Sequence, residues 1–166
     1  MGIFTAAMAL FSNGGVGQLE RKPRGSRSED EPELKGTVLV IDDDPTILEA
    51  IRLLLSEAGY NVLTSSTGPK GLDMVRYAPK DVRLVLLDYN MPRFNGAETL
   101  EFLRKLNPNL KVVAVSGYRA KDLPESFHHG VERLLSKPFS NDQLLKTVQE
   151  VIEGKSASEA AISGAN

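Results

Sequence analysis

Cysteine is absent from the 166 residues, which rules out disulfides, thiolate chemistry and any zinc site built on cysteine, and fits a reducing cytoplasm. Histidine is limited to the adjacent pair His128 and His129. An excess of positive charge is missing too. The formal net charge is -2, so there is no electrostatic reason to expect a nucleic acid or an acidic membrane as partner. Long apolar runs are also lacking: residues 1–11 are apolar, but a bilayer span needs roughly 20 such residues. No Lys or Arg precedes Arg21, against the pattern of a secretory signal. Ala6 stands where a myristoylation pattern beginning at Gly2 asks for Ser or Thr. What remains is a chain expected to be cytoplasmic, whose 41% hydrophobic and 25% charged residues are ordinary globular values, long enough for one domain with tails.

The apolar content is concentrated and ordered. Residues 12–34 carry Arg21, Lys22, Arg24 and Arg27, then Glu29, Asp30, Glu31 and Glu33, with little apolar surface. Such a stretch cannot bury enough to offset its ordering entropy, so residues 1–34 are expected to be a weakly structured tail and linker. Residues 155–166 are small and polar, a second expected tail. Between them, residues 35–154 alternate short apolar runs with helical periodicity, the pattern of one α/β domain.

Strands are expected at Thr37–Ile41, Asn61–Ser65, 83–88, 110–116 and 131–135. Helices are expected at 45–58, 69–77, Gly96–Leu106, 124–129 and Asn141–Glu153. Asp44 before Pro45 is a good N-cap with proline at the first helical position. Asn95 with Glu98, and Ser140 with Gln143, have capping-box spacing. Gly59 and Gly154 are expected to end the first and last helices. Five strands alternating with five helices imply a doubly wound parallel sheet, covered on both faces, with a ligand crevice at the carboxyl ends of its strands.

The run Leu84-Val85-Leu86-Leu87 reads as a strand buried on both faces. It ends in Asp88, and an ionised carboxylate there needs cations, hydrogen bonds or a metal nearby. The other strand ends bring Asp42, Asp43 and Asp44, then Ser116 and Gly117, then Lys137 and Pro138. Asp44 is accounted for as a cap. Asp42, Asp43 and Asp88 would repel one another in one crevice, and a hard divalent cation such as Mg²⁺ would relieve that repulsion. Ser116 and Lys137 could hold a tetrahedral anion beside them. Pro138 keeps the preceding residue extended, and a cis bond would aim the lysine inward. His128 and His129, adjacent on one helix, do not share a face; they are expected to be ordinary helix-end residues favoured by the dipole.

Taken together, residues 38–45, the segment Leu87-Asp88-Tyr89-Asn90-Met91-Pro92 with Gly96, the segment Val115-Ser116-Gly117 and the segment Lys137-Pro138-Phe139 resemble the receiver domain of two-component response regulators. The resemblance runs from about residue 36 to 154. It implies a flavodoxin-like (βα)5 fold with strand order 2-1-3-4-5. It implies that Asp88 accepts a phosphoryl group from a histidine kinase or a histidine phosphotransfer protein. Mg²⁺ would be held by Asp42, Asp43, Asp88 and the backbone carbonyl of Asn90, and the phosphoryl oxygens by Lys137, the Ser116 hydroxyl and the Gly117 N–H. Many receivers have an aromatic residue three positions before the lysine, a switch position filled here by Leu134.

No output domain is expected after residue 154, so signalling is expected through a protein partner on the face of the fourth helix, fifth strand and fifth helix. Two other readings stand beside this one. An aspartyl-phosphate phosphohydrolase commonly asks for a second Asp two residues after the nucleophile, where this chain has Asn90. A receiver-shaped scaffold that is never phosphorylated would have no use for the acidic pair and the lysine.

Overall fold

The computed structural model describes residues 34–77 and 81–154. The expected tails at residues 1–33 and 155–166 lie outside the described residues. The apolar runs form strands β1 (Thr37–Ile41), β2 (Asn61–Ser65), β3 (Val82–Asp88), β4 (Lys111–Ser116) and β5 (Arg133–Ser136). All are parallel and stand in the order β2-β1-β3-β4-β5, the expected order. Between and after them come helices α1 (Pro45–Glu57), α2 (Gly68–Tyr77), α3 (Gly96–Leu106), α4 (Glu125–His129) and α5 (Asn141–Glu153).

Both faces of the central strand are covered. Leu84, Val85, Leu86 and Leu87 are each at most 1% exposed. Because side chains alternate along a strand, Val85 and Leu87 enter one apolar cluster with Leu72 and Val75 of α2, Leu100 and Leu103 of α3 and Phe127 of α4. Leu84 and Leu86 enter the other, with Leu48, Ile51 and Leu55 of α1 and Leu144, Val148 and Val151 of α5. The sheet therefore sits between two helical layers, and from Leu84 to Asp88 β3 is buried on both faces, Arg83 near its start being exposed.

The caps behave as their chemistry predicts. Asp44 accepts N–H bonds from Thr46 and Ile47 at the start of α1. Both capping boxes form, Asn95 with Glu98 and Ser140 with Gln143. Gly154 ends α5 at φ 78°, a left-handed conformation that favours glycine.

Several boundaries differ from expectation by one residue: α1 ends at Glu57 rather than 58, α2 begins at Gly68 rather than 69, β3 begins at Val82 rather than 83, and β5 runs on to Ser136. Three other starts depart for local reasons. β5 begins at Arg133 rather than at 131: the Val131 N–H turns back to the His128 carbonyl, and Glu132 is the first residue to bond β4, through Val112. A single 3-10 turn, Ala120–Asp122, precedes α4, and Pro124 is the N-cap of α4 rather than part of its first turn. β4 starts at Lys111 because the Leu110 N–H closes a turn on the Asn107 carbonyl.

Candidate functional site at the carboxyl ends of β1, β3, β4 and β5

Strand register brings the polar residues to one height. Ile41 is level with Leu87, Asp88 with Val115, and Ser116 with Ser136. Asp42 and Asp88 thus leave neighbouring strands side by side, and Lys137 follows the strand that borders Ser116. Backbone bonds fasten these ends, from Tyr89 N–H to the Val115 carbonyl at 2.9 Å and from Lys137 N–H to the Ser116 carbonyl at 2.7 Å.

The same short motif recurs where β1, β3 and β4 stop. An Asp42 oxygen accepts the Asp44 N–H at 2.9 Å, Asp88 accepts the Asn90 N–H at 3.0 Å, and the Ser116 hydroxyl accepts the Tyr118 N–H at 3.0 Å. A side-chain acceptor bonding the backbone two residues on is the turn that Asp and Ser favour. It gives each functional oxygen a fixed direction without needing another side chain. Gly96 completes the frame: a Cβ there would lie 2.6 Å from the Asp88 carbonyl oxygen and from Tyr89 Cα. Only glycine lets the start of α3 lean on the phosphoacceptor candidate's own backbone.

Lys137 closes the site. Its Nζ donates to Asp88 Oδ1 at 2.8 Å and to Asp42 Oδ2 at 3.3 Å, and the Lys137–Pro138 peptide is cis. Asp42 and Asp88 are each 4% exposed and Ser116 is fully buried. Burial pushes the Asp42 carboxyl up; the Asp44 N–H and Lys137 oppose this, while the charge of Asp88 adds to it. For Lys137, burial works against the charge, but the hydrogen bond and field of Asp88, joined by Asp42, outweigh it and hold the ammonium above its ordinary value.

One ligand atom from each of Asp42, Asp43 and Asp88 lies within 4.8 Å of the others, and Asp43 is exposed. Three carboxylates, with one lysine shared by two of them, make a donor set of hard oxygens around residual negative charge. That set fits a divalent cation such as Mg²⁺ better than a softer, nitrogen-seeking metal. Gly117 is exposed and the space where its Cβ would stand is open. Leu134 lies in β5, half-buried against the α2–α3–α4 cluster. His128 and His129 stand apart from the site: His128 Nε2 meets the Ala120 carbonyl at 2.7 Å, and His129 faces Glu125 at 3.7 Å.

Sequence reasoning did not single out Tyr118, whose N–H holds the Ser116 hydroxyl, nor the role of the Asn90 N–H on Asp88. The recurring turn motif was the available signal, because it requires only an Asp or Ser at a strand end. Nothing in the sequence pointed to the ring contacts of Tyr89. Its ring stands edge-on to Phe127, centroids 4.9 Å apart, and to Tyr118 at 6.0 Å.

A parallel five-stranded sheet with an acidic cluster and a lysine at its carboxyl end defines a phosphoryl-handling class of α/β domain. The comparisons with known proteins narrow this. Residues 38–149 match the family model of the response regulator receiver domain, and this chain belongs to that family. The cell cycle transcriptional regulator CtrA of Caulobacter vibrioides is 32% identical over 116 residues, covering 69% of this chain and 49% of that protein. The chain therefore spans about half the length of the curated relatives it matches. Among solved structures, a response regulator receiver domain protein from Clostridium thermocellum superposes with a TM-score of 0.67 at 30% identity, covering 72% of this chain and 96% of that one. The response regulator TrrA from Thermotoga maritima, in complex with Mg²⁺ and BeF, gives 0.62 at 27% identity, covering 70% and 98%. The domain is a signalling module of the two-component type, a family in which phosphorylation on Asp is typical.

Proposed function

We propose that this chain is a phosphorylation switch in which Asp88 takes a phosphoryl group from the phosphohistidine of a histidine kinase or histidine phosphotransfer protein, in the cytoplasm. The observation that carries the reading is the Lys137 ammonium shared between Asp42 and Asp88, with a third carboxylate beside them. A carboxylate oxygen of Asp88 attacks phosphorus, the P–N bond to the donor imidazole breaks, and its electron pair stays on the ring nitrogen. The product is an aspartyl phosphate. Asp42, Asp43, Asp88 and the Asn90 carbonyl are the residues that would hold Mg²⁺. When bound, the cation neutralises charge on the phosphoryl oxygens.

The protein's own residues supply the rest by positioning. Lys137 already touches Asp88 and needs only to turn from a carboxylate oxygen to a phosphoryl oxygen. Ser116 exchanges its bond from the Tyr118 N–H for donation to another phosphoryl oxygen, and the Gly117 N–H serves a third. The loops after β4 and β5 lead from these groups to α4 and α5, so output through the surface of α4, β5 and α5, which includes Leu134, follows from where the new charge appears.

Intact-protein mass spectrometry after incubation with a small acyl phosphate tests this reading. With Mg²⁺ the wild type is expected to gain one phosphoryl group; with a chelator, or in Asp88→Asn, none. Equal labelling of the Asn variant would refute the assignment.

A further inference from the structure

Three rings lead from the site into α4. Tyr89 directly follows Asp88, and its ring is partly buried against the α2–α3–α4 cluster. One side of it meets Phe127, 4.9 Å between centroids with the planes at 73°; another meets Tyr118, 6.0 Å with the planes at 89°. Both are edge-to-face arrangements of the attractive kind. Tyr118 in turn is tied to the site by its backbone, whose N–H donates to the Ser116 hydroxyl. The rings thus join the residue after Asp88, the residue bonded to Ser116 and the inner anchor of α4.

The anchor matters because α4 has little else. It is five residues long and no described side chain caps its start. Between residues 117 and 130 only Leu123 and Phe127 are buried. Two side chains tether it through its backbone surroundings: His128 to the Ala120 carbonyl, and Arg104 of α3 to the Gly130 carbonyl at 2.6 and 2.9 Å. A close-packed core resists displacement, but Phe127 also borders an open cleft of about 670 Å³ between α3 and α4, lined in part by Leu100 and Gly130.

Building on the phosphoacceptor reading, we infer that Tyr118, Tyr89 and Phe127 form an aromatic relay that carries the phosphoryl state of Asp88 to α4. A phosphoryl group on Asp88 draws the Ser116 hydroxyl away from the Tyr118 N–H. Tyr118, 53% exposed and no longer held at its backbone, changes its edge contact with Tyr89. Tyr89 passes the change to Phe127, and α4 moves with its anchor toward the cleft. Leu134, wholly apolar, offers no hydrogen bond through which to sense the same event.

The test is amide exchange across residues 117–130 with and without beryllofluoride and Mg²⁺, in the wild type, in Tyr118→Ala and in Phe127→Leu, with mass labelling of Asp88 run in parallel. Tyr118 is at the surface and Phe127→Leu keeps an apolar anchor, so both variants are expected to fold and to take the label. The wild-type response in α4 is expected to be about fivefold or more in exchange rate, the lower end of ordinary coupling, and to fall below about twofold in both variants. A full-sized α4 response in either variant overturns the relay, and so does a labelled wild type whose α4 does not respond. A wild type that takes no label fails the phosphoacceptor reading itself, and the relay with it. Fluorine NMR of protein carrying fluorotyrosine at its four tyrosines gives a readout without mutation: Tyr89 and Tyr118 shift on activation while Tyr60 and Tyr77 do not. Unmoved Tyr89 and Tyr118 signals also overturn the proposal.

Discussion

The helix after β1 and the helix after β4 leave the same end of the sheet, yet they are built for different degrees of freedom. α1 has 13 residues, opens on Asp44 with proline at its start, and buries Leu48, Ile51 and Leu55. α4 has five residues, follows a 3-10 turn and hangs on Phe127. The difference matches what the proposed function asks of each end of the site. In that reading Asp42 and Asp43, which precede α1, would hold a cation at a constant place, whereas Ser116 would lead into a segment that responds. Stability is distributed unevenly across folds, and parts that move are drawn from the less stable end.

This contrast can be broken by mutation. The largest effect is expected for Leu55→Ala, which removes a fully buried side chain of α1 and should cost about 2–5 kcal/mol of global stability in urea denaturation. Phe127→Leu, which keeps an apolar anchor and removes fewer buried contacts than a truncation to Ala, should cost less than Leu55→Ala. Similar losses at the two positions would show that α4 is as firmly built as α1. Next comes Arg104, whose guanidinium donates to the carbonyls of Gly130, Leu110 and, at 3.4 Å, Pro108. Hydrogen bonds from a charged donor are worth roughly 1.5–3 kcal/mol, so Arg104→Ala should accelerate amide exchange in α4 far more than in α1. Uniform acceleration would mean that the arginine supports the whole fold rather than this segment.

The smallest effect is expected for the cap of α1. The N–H of Thr46, with that of Ile47, holds the Asp44 carboxyl below the usual carboxylate range. A carboxyl whose folded value is depressed stabilises the fold above its unfolded value and loses that contribution as pH falls through the folded one. Asp44→Ala should therefore lower the melting temperature slightly at neutral pH, and the difference from wild type should vanish in strong acid. A difference that persists there would show that the cap does not act through its charge.

The legible parts of the molecule are those written in short-range chemistry. Asp44-Pro45, Asn95 with Glu98 and Ser140 with Gln143 place three helix starts, and four apolar residues before Asp88 are enough to bury β3 on both sides. The gathering of Asp42, Asp43, Asp88, Ser116 and Lys137 was legible because a parallel sheet sends every strand's carboxyl end to the same crevice. What was not legible depends on distant partners. Val131, Leu134 and Leu135 make residues 131–135 look like strand from their first residue. The chain instead enters the sheet late, after a turn at Gly130 whose carbonyl is held by Arg104, 26 residues earlier. The contacts of Tyr89 join three segments and leave no periodic trace. The two partners of Lys137 lie 49 and 95 residues away, so its pairing could be inferred only from topology.

The most direct test of the account is chemical location of the acceptor. Borohydride reduces an aspartyl phosphate to homoserine and leaves a free carboxylate unchanged, so peptide mapping after phosphorylation in Mg²⁺ marks the residue that carried the group. Homoserine at position 88, and at no other aspartate, is the predicted result. Homoserine at position 42 or 43 with an unmodified Asp88 would contradict the assignment of the carboxylate at the end of the central strand as the phosphoacceptor.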